Sequence, residues 1–448
     1  MIELTKEYIE HLREVIELKD ETAAVNMLQE LYPADIAELF QELDLEEAIY
    51  LYMLMDGEKA ADVLMELDEE DRRKLLKELP SELIAKRFID FMETDDAVDL
   101  MRELDEDTQE ELLSHIEDDE QAGDIVDLLK YDEDTAGGLM GTEMIVVNEN
   151  WSMPKCLEEM RSQAEEMDEI YYVYVVDDDE RLRGVLPLKK MITSPSVSKI
   201  KHVMKKDPIA VKDSDSIEEV AQTIEKYDLV ALPVIDSIGR LVGRITIDDV
   251  MDEVREQHER DYQLASGISQ DVETSDNVIL QTAARLPWLL IGMIGGLGNS
   301  VLLGGFESSF AANPKMALFI PLIGGTGGNV GIQSSAIVVQ GLANNSLKQG
   351  NVWKQIVKES AVSLINASII SLVVFIYNFF MLNNRAITAS VSLSLFAVVM
   401  FASIFGTLVP MTLDRFKIDP ALATGPFISI TNDIIGMMIY MFITAALS

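Results

Sequence analysis

Over residues 1 to about 130, apolar side chains recur at helical spacing while acids fill the positions between them, the pattern of short amphipathic helices. One helix begins at Pro33-Ala34-Asp35-Ile36-Ala37-Glu38-Leu39-Phe40. It is echoed 24 residues later by Glu58-Lys59-Ala60-Ala61-Asp62-Val63-Leu64, matching Ala37 with Ala61, Leu39 with Val63 and Phe40 with Leu64. Further units begin near Pro80, Thr94 and Asp119. Repeats of this length predict a small α-superhelix over residues 1–132. Its acids need be no more than a solvated face.

From about Gly137 the pattern changes to alternating strands and helices. Val175-Val176-Asp177 with Arg181-Leu182-Arg183-Gly184-Val185-Leu186 recurs 59 residues later as Val234-Ile235-Asp236 with Arg240-Leu241-Val242-Gly243-Arg244-Ile245. Met140 and Ile145-Val146-Val147 match Met204 and Ile209-Ala210-Val211 at an offset of 64. The two copies, at 133–200 and 201–248, resemble a tandem pair of CBS domains, βαββα modules that sense ligands and dimerise. That resemblance implies an adenosine-nucleotide (ATP) site where an Asp follows Ser or Thr at a helix entry. Thr246-Ile247-Asp248-Asp249 keeps the pattern, making Asp248 and Asp249 the nucleotide candidates; Pro187-Leu188-Lys189-Lys190 in the first copy lacks the acid. The alternative is a purely cation-sensing dimer module.

A polar helical run over 249–270 follows, either a connecting helix at the membrane face or a simple linker. Beyond it, apolar stretches at about 286–305, 316–343, 356–382, 388–413 and 423–447 are each long enough to cross ~30 Å of hydrocarbon. They predict a five-helix α transmembrane domain over 271–448, within a multidomain membrane protein.

Charge divides at the same place. The chain has 79 Asp and Glu against 36 Lys and Arg, a net charge of −43, yet the segment from Asp271 to Ser448 is neutral. All the excess acid therefore lies in the first 270 residues. Such a surface repels nucleic acid and makes divalent cations its natural counterions. The start, Met1-Ile2-Glu3-Leu4-Thr5-Lys6-Glu7, has no basic or apolar leader, so this half is expected in the cytoplasm. Lys348, Lys354, Arg415 and Lys417 on the inner loops, against Lys315 and Arg385 on the outer ones, agree. Five spans then put the C-terminus outside the cell membrane. A single cysteine, Cys156, excludes an internal disulfide.

Two motifs interrupt the apolar background. Pro321-Leu322-Ile323-Gly324-Gly325-Thr326-Gly327-Gly328-Asn329-Val330-Gly331-Ile332-Gln333 should weaken its helix and free backbone carbonyls for a hydrated ion. Close packing of helices through small residues is the other explanation. In the last stretch, Thr431-Asn432-Asp433 carries the only acid well inside any span. A carboxylate there costs about 2.5–3.5 kcal/mol on insertion scales, so a proton or a passing cation must neutralise it.

With Asp419-Pro420-Ala421 and Gly425-Pro426 leading to Asp433, and with the acidic and CBS regions in the same order, the whole chain resembles the MgtE family of magnesium channels. The resemblance implies a homodimer with a pore between the two copies of spans two and five. It puts the pore aspartate at Asp433 and the backbone lining at Gly325 to Gly328, with Asn329 nearby. It implies a plug helix whose magnesium-binding acids are Asp249, Asp252 and Asp261. Arg260 replaces one acid of that set, with Glu259 adjacent, and Asp419 matches an acid facing the plug. Glu307, before span two, would attract cations at an outer mouth. Mg²⁺ keeps much of its water and takes few carboxylates, which suits one Asp per subunit. Few histidines and one cysteine argue against Zn²⁺ or Cu⁺. The expectation is a Mg²⁺ channel closed by cytosolic Mg²⁺, not an enzyme. The alternatives are a divalent-cation carrier, proton-coupled or uncoupled, admitting Mn²⁺ or Co²⁺, and a membrane-anchored regulator.

Overall fold

Acids that read as a solvated face also start the helices. Asp20, Asp44, Asp56, Asp105 and Asp118 each accept a backbone N–H in the first turn that follows them, and each such cap is worth about 1 kcal/mol. In the computed structural model, which describes residues 4–447 apart from 165–166, 168–169, 271, 273–276, 344–346, 348–351, 383 and 424, they punctuate a run of short helices. These run from α1 (Lys6–Glu17) to α10 (Asp119–Leu128). The 24-residue echo is a repeated buried face. Ile36, Ala37, Leu39 and Phe40 on α3 (Pro33–Gln41) correspond to Ala60, Ala61, Val63 and Leu64 on α5 (Gly57–Met65), and all are buried. The chain divides into two compact units, Met1–Arg255 and Glu256–Ser448.

The rest of the first unit is the strand repeat. In the first copy, β1 (Ile145–Asn148) runs parallel to β2 (Val173–Val176), which is antiparallel to β3 (Leu182–Leu186). A short β4 (Lys205–Lys206), already past the first copy, pairs with β3. In the second copy, β5 (Val211–Lys212) is parallel to β6 (Ala231–Ile235), itself antiparallel to β7 (Leu241–Thr246). Gly141, ahead of the first copy, pairs with Arg244 on β7. Each sheet is thus edged by the segment that precedes the other copy's position in the repeat. The glycines permit the exchange: a β-carbon at Gly184 would lie 2.9 Å from the Met204 sulfur, and one at Gly243 2.7 Å from that of Met140.

The helix entering from β7 does not stop at the module. It runs unbroken as α14 (Ile247–Ala265).

In the second unit α15 (Val278–Gly304), α18 (Val352–Met381), α19 (Arg385–Arg415) and α20 (Gly425–Leu447) are long and apolar enough to cross a membrane. Between α15 and α18 lie the short α16 (Glu307–Ala312) and the long, glycine-rich α17 (Ile320–Ala343). The chain is a multi-pass membrane protein. The interior is formed by α17, α19 and α20, with Ile323, Leu395, Val398, Met437 and Tyr440 at its centre. The outer faces of α15 and α18 are apolar and exposed, as at Leu289, Ile294, Ile369 and Phe380.

The glycine-rich stretch corrects one expectation. It is continuous helix, with Pro321 in the first turn, where its missing N–H costs nothing. Its glycines serve close packing: Gly331 fits between Gly406 of α19 and Asn432 of α20, and a β-carbon would overlap the Asn432 amide.

Candidate metal centres

The first centre forms where α8 (Thr94–Arg102) meets the strand repeat. The α8 entry, Glu93-Thr94-Asp95-Asp96, read as part of a solvated face, yet Thr94 and Asp95 are buried. Thr94 donates its N–H and hydroxyl to the two Glu143 carboxylate oxygens at 2.8 and 3.0 Å. Gly141 leaves room beside them, since a β-carbon there would lie 2.7 Å from Asp95 Oδ2. Glu93, Asp95 and Glu143 each offer an oxygen, all within 4.8 Å of one another. That is the span of a cation holding oxygens at about 2.0–2.6 Å.

Among the described residues, one fixed cation serves this group. Arg244, 4 % exposed, donates to Glu93 Oε2 at 2.7 Å and to the Glu143 carbonyl. It cannot neutralise all the acids. Burial, together with the charges of Asp249, Asp96, Glu143 and Glu93, pushes the Asp95 carboxyl well up. Burial, with Asp249 and Asp99 adding, pushes Asp96 up to about 7. Glu93 is raised by burial against the pull of Arg244. The cause is the same throughout: carboxylates removed from water beside like charges hold protons unless a cation replaces them.

Asp249 joins the group from the first turn of α14. Burial raises it, against hydrogen bonds from the Thr246 N–H and hydroxyl, and Asp248 raises it further. Its carboxyl is therefore engaged at the helix entry and electrostatically coupled to Asp95 and Asp96. Asp248 is exposed. Further along α14, Asp252 is exposed beside Arg255, Glu259 is exposed and Asp261 half-buried. Arg260 pairs with Glu256 one turn back at 3.4 Å.

The second centre is in the membrane unit. Asp433 on α20 faces the glycine side of α17: β-carbons at Gly324 and Gly328 would lie 3.3 and 3.7 Å from its Oδ1. Ser429, one turn before it, approaches Gly328 to 3.1 Å on the same measure. Gly325 and Asn329 stand on the adjoining, open face of α17 and are exposed. Asp433 itself is half-buried, between the packed glycines and that open face. Asp419 is exposed and caps the turn at Pro420–Ala423, accepting the Ala421 N–H at 2.7 Å. Glu307, at the start of α16, is exposed.

The end of α14 and its following turn pack on the start of the Asp433 helix. Gly267, at φ +83°, leaves space for Pro426, whose Cγ would lie 2.5 Å from a β-carbon there. Gly425, at φ +32°, sits against the Ala265 carbonyl where no side chain fits.

Sequence reasoning missed Glu93, Asp95, Asp96, Glu143, Arg244, Gly324 and Ser429. A second intramembrane acid was also missed. Glu359, near the start of its apolar stretch, is 8 % exposed inside α18 and bonded to Ser334 and Ser403. Asp433 is not alone. The signal available was Gly141, a glycine between two acidic segments. Nothing in a linear pattern brings Glu93 beside Arg244.

An acidic unit with a tandem strand repeat, joined in sequence to a multi-pass membrane unit with an intramembrane carboxylate, is the organisation of a membrane cation transporter. Residues 320–443 match the family described as a divalent cation transporter, 31–134 the MgtE intracellular N domain, and 136–195 and 200–256 the CBS domain. The chain is 33 % identical over 312 residues to the magnesium transporter MgtE of Enterococcus faecalis, covering 70 % of this chain and 69 % of that protein. It is 33 % identical over 314 residues to that of Thermus thermophilus, covering 70 % of each. The crystal structure of the cytosolic domain of the Mg²⁺ channel MgtE in complex with ATP is 33 % identical, with a TM-score of 0.51 over 55 % of this chain and 99 % of that one. The chain belongs to the MgtE family of magnesium transporters.

Proposed function

We propose that this chain is a Mg²⁺ channel of the cell membrane, acting as a homodimer and closed from the cytoplasmic side by Mg²⁺ itself. The observation that carries the permeation path is the Asp433 carboxylate beside the open, glycine-bearing face of α17. In a dimer two such faces would oppose each other, with Gly325 and Asn329 lining the path and Asp433 drawing in a hydrated ion. The apolar faces of α15 and α18 would meet lipid. The acidic unit lies in the cytoplasm and the C-terminus outside. Glu307 would lie at the outer mouth.

Closure draws on the acidic seam. As cytosolic Mg²⁺ rises, ions replace the protons held by Glu93 and Asp95, beside Glu143, and bind acids along α14, Asp249 and Asp252 at its start and Glu259 and Asp261 towards its end. Because Gly267 and Gly425 lock the end of α14 to the start of α20, a shift of that helix reaches the Asp433 helix, while Asp419 faces it from the membrane side. Such a switch needs ions to bind the closed state more tightly than the open one. ATP is a second ligand of the cytosolic unit in this reading. It is favoured by a cleft where Tyr171, Tyr172 and Tyr174 stand beside Arg244, aromatic faces with a guanidinium.

The test is current across membrane patches holding the purified chain, with Mg²⁺ the sole divalent ion and its cytoplasmic concentration varied. Unitary currents that close as internal Mg²⁺ rises are expected, and Asp249→Asn with Asp252→Asn should close only at higher Mg²⁺. Slow flux coupled to a proton gradient, without unitary currents, would make the protein a carrier and Asp433 its carrier carboxylate.

A further inference from the structure

Three helices of the membrane unit meet at one carboxyl oxygen. Ser334 of α17 donates its hydroxyl to Glu359 Oε1 of α18 at 2.7 Å, and Ser403 of α19 donates to the same oxygen at 2.5 Å. The two hydroxyl oxygens are 2.9 Å apart, as two donors sharing one acceptor must be close. All three residues are buried, Glu359 to 8 %, Ser334 to 4 % and Ser403 to 2 % exposure. An acid inside an apolar helix is costly, and here its oxygen is shared by two neighbouring helices.

What these bonds hold is α17. Elsewhere its contact with α19 is made by small residues, Gly327 against Val398 and Gly331 against Gly406. Its contact with α20 is of the same kind, Gly324 and Gly328 against Asp433. Surfaces without side chains let helices approach closely, but they set a distance and not a rotation. At these positions no long side chain of α17 enters a groove to fix the angle. Among the described residues, no other side chain of α17 is hydrogen-bonded to another helix. The bond from Ser334 therefore fixes the turn of α17 about its own axis. It acts about 9 Å along the helix from Gly328, six residues at about 1.5 Å each.

We infer that Glu359 is a positioning residue for transport: through Ser334 it sets the rotation of α17, and so the spacing between the Gly324–Gly328 backbone and the Asp433 carboxylate, an assignment that rests on the proposed path along that face.

A turn of α17 by about 20° would move backbone atoms, about 2.3 Å from the axis, by about 0.8 Å. Oxygen distances to Ca²⁺ exceed those to Mg²⁺ by only about 0.4 Å. A loosened α17 should therefore blunt the discrimination between these ions as well as slow the flux. Neither effect requires Glu359 to touch the ion.

The test compares Ser334→Ala with Ser403→Ala in the full chain. Each removes one short bond to Glu359 Oε1 from a site of similar burial, but only Ser334→Ala releases α17. A role confined to packing would make the two equal. The position of α17 is read directly from a disulfide between Gly328→Cys and Ser429→Cys, in a chain whose own cysteine is removed by Cys156→Ala. A β-carbon at Gly328 lies 3.1 Å from Ser429 Oγ and 3.9 Å from its Cα. Ser334→Ala should slow this disulfide about fivefold and Ser403→Ala less than about twofold, the scale of one hydrogen bond lost or kept. In liposomes, Ser334→Ala should cut Mg²⁺ flux about fivefold on the same scale and raise the ratio of Ca²⁺ to Mg²⁺ flux. Glu359→Gln keeps an acceptor oxygen and should stay within about twofold of the wild type.

Equal effects of the two serine variants would overturn the inference, as would an unchanged disulfide rate in Ser334→Ala. Asp433→Ala is measured alongside. Wild-type flux there would remove the proposed path, and with it the part given to Glu359 in transport. Lost flux there, with wild-type flux in Ser334→Ala, would overturn the positioning role alone.

Discussion

Arg244 donates to Glu93 Oε2 at 2.7 Å across 151 positions of sequence, tying the helical repeat to the last strand of the second CBS copy. Among the described residues it is the one fixed positive charge beside Glu93, Asp95, Glu143 and Asp249. Arg244→Met should leave these acids facing one another. The expected loss is about 3 kcal/mol, the low end for a broken buried pair because Glu93 is partly exposed. Thermal unfolding of the first unit in EDTA should show it as a lowered Tm, and saturating Mg²⁺ should restore part of the loss. An unchanged Tm in EDTA would mean that the pair contributes nothing to the seam.

The same acids give the seam a pH dependence with a definite sign. Asp96 is raised to about 7 in the folded chain, and Asp95, Glu93 and Asp249 are raised too. A carboxyl whose folded pKa exceeds its unfolded value of about 3.9 binds more protons when folded, so stability falls as pH rises. Without divalent ions, the first unit should lose stability from about pH 4 to pH 7, the window between those values for Asp96. Mg²⁺ replaces the protons, so its stabilising effect should grow over that range and release protons on binding. Calorimetry in two buffers of different ionisation enthalpy measures that release. Equal Mg²⁺ stabilisation at pH 5 and pH 8 would count against the acid seam as the ion site.

Gly331 tests the packing of the membrane unit. A methyl there meets the Asn432 side chain, one residue before Asp433, on a helix face that also abuts Gly406. Gly→Ala favours a helix by about 1 kcal/mol, but overpacking a close contact costs about 1–3 kcal/mol, so the clash should win. Gly331→Ala is expected to lower the detergent-melting temperature and to cut Mg²⁺ flux. Gly325→Ala, on the open face where a β-carbon meets nothing, should leave the melting temperature unchanged or raised. A melting temperature lowered equally in both would remove this explanation of the glycines.

These contrasts mark what linear pattern can carry. Helical period exposed the buried faces of Ile36 and Ala60, and the repeated Val-Val-Asp and Val-Ile-Asp marked the paired sheets, because both signals are local. The exchanged strand edges were half legible: Met140 and Met204 were seen to match, but not that each packs on the other copy's glycine. Asp433 stood out since an acid in an apolar run is costly. Glu359 did not, because its position near the start of a stretch looked like an interfacial charge, and only the serines of two other helices give it a setting. The glycine run was misjudged from propensity alone. Its neighbours, not its intrinsic preference, decide that it stays helical. The acidic seam was invisible for a related reason: Glu93, Glu143 and Asp249 lie far apart in the chain, and burial distinguishes them from dozens of solvated acids.

In the proposed channel, variants of Asp433 test permeation apart from regulation. Its carboxylate lies beside Gly324 and Gly328 in the membrane unit, while the acids of the seam belong to the other compact unit. Asp433→Ala removes the charge and the ligand oxygens, and Asp433→Asn keeps an oxygen and the size. Both should lower Mg²⁺ conductance, Asp433→Ala by at least tenfold, which corresponds to about 1.4 kcal/mol or more of lost ion stabilisation. Asp433→Asn should lose less if an outer-sphere ion needs only a hydrogen-bond acceptor, and as much if the negative charge itself draws in the ion. Mg²⁺-dependent protection of the first unit from protease should survive in both variants at an unchanged Mg²⁺ midpoint, since no seam acid is altered. Normal conductance in Asp433→Ala would take this residue out of the permeation path. A shifted protection midpoint would instead show that the membrane carboxylate and the seam are coupled in binding, through the contact of Gly267 and Gly425 at the junction of α14 and α20.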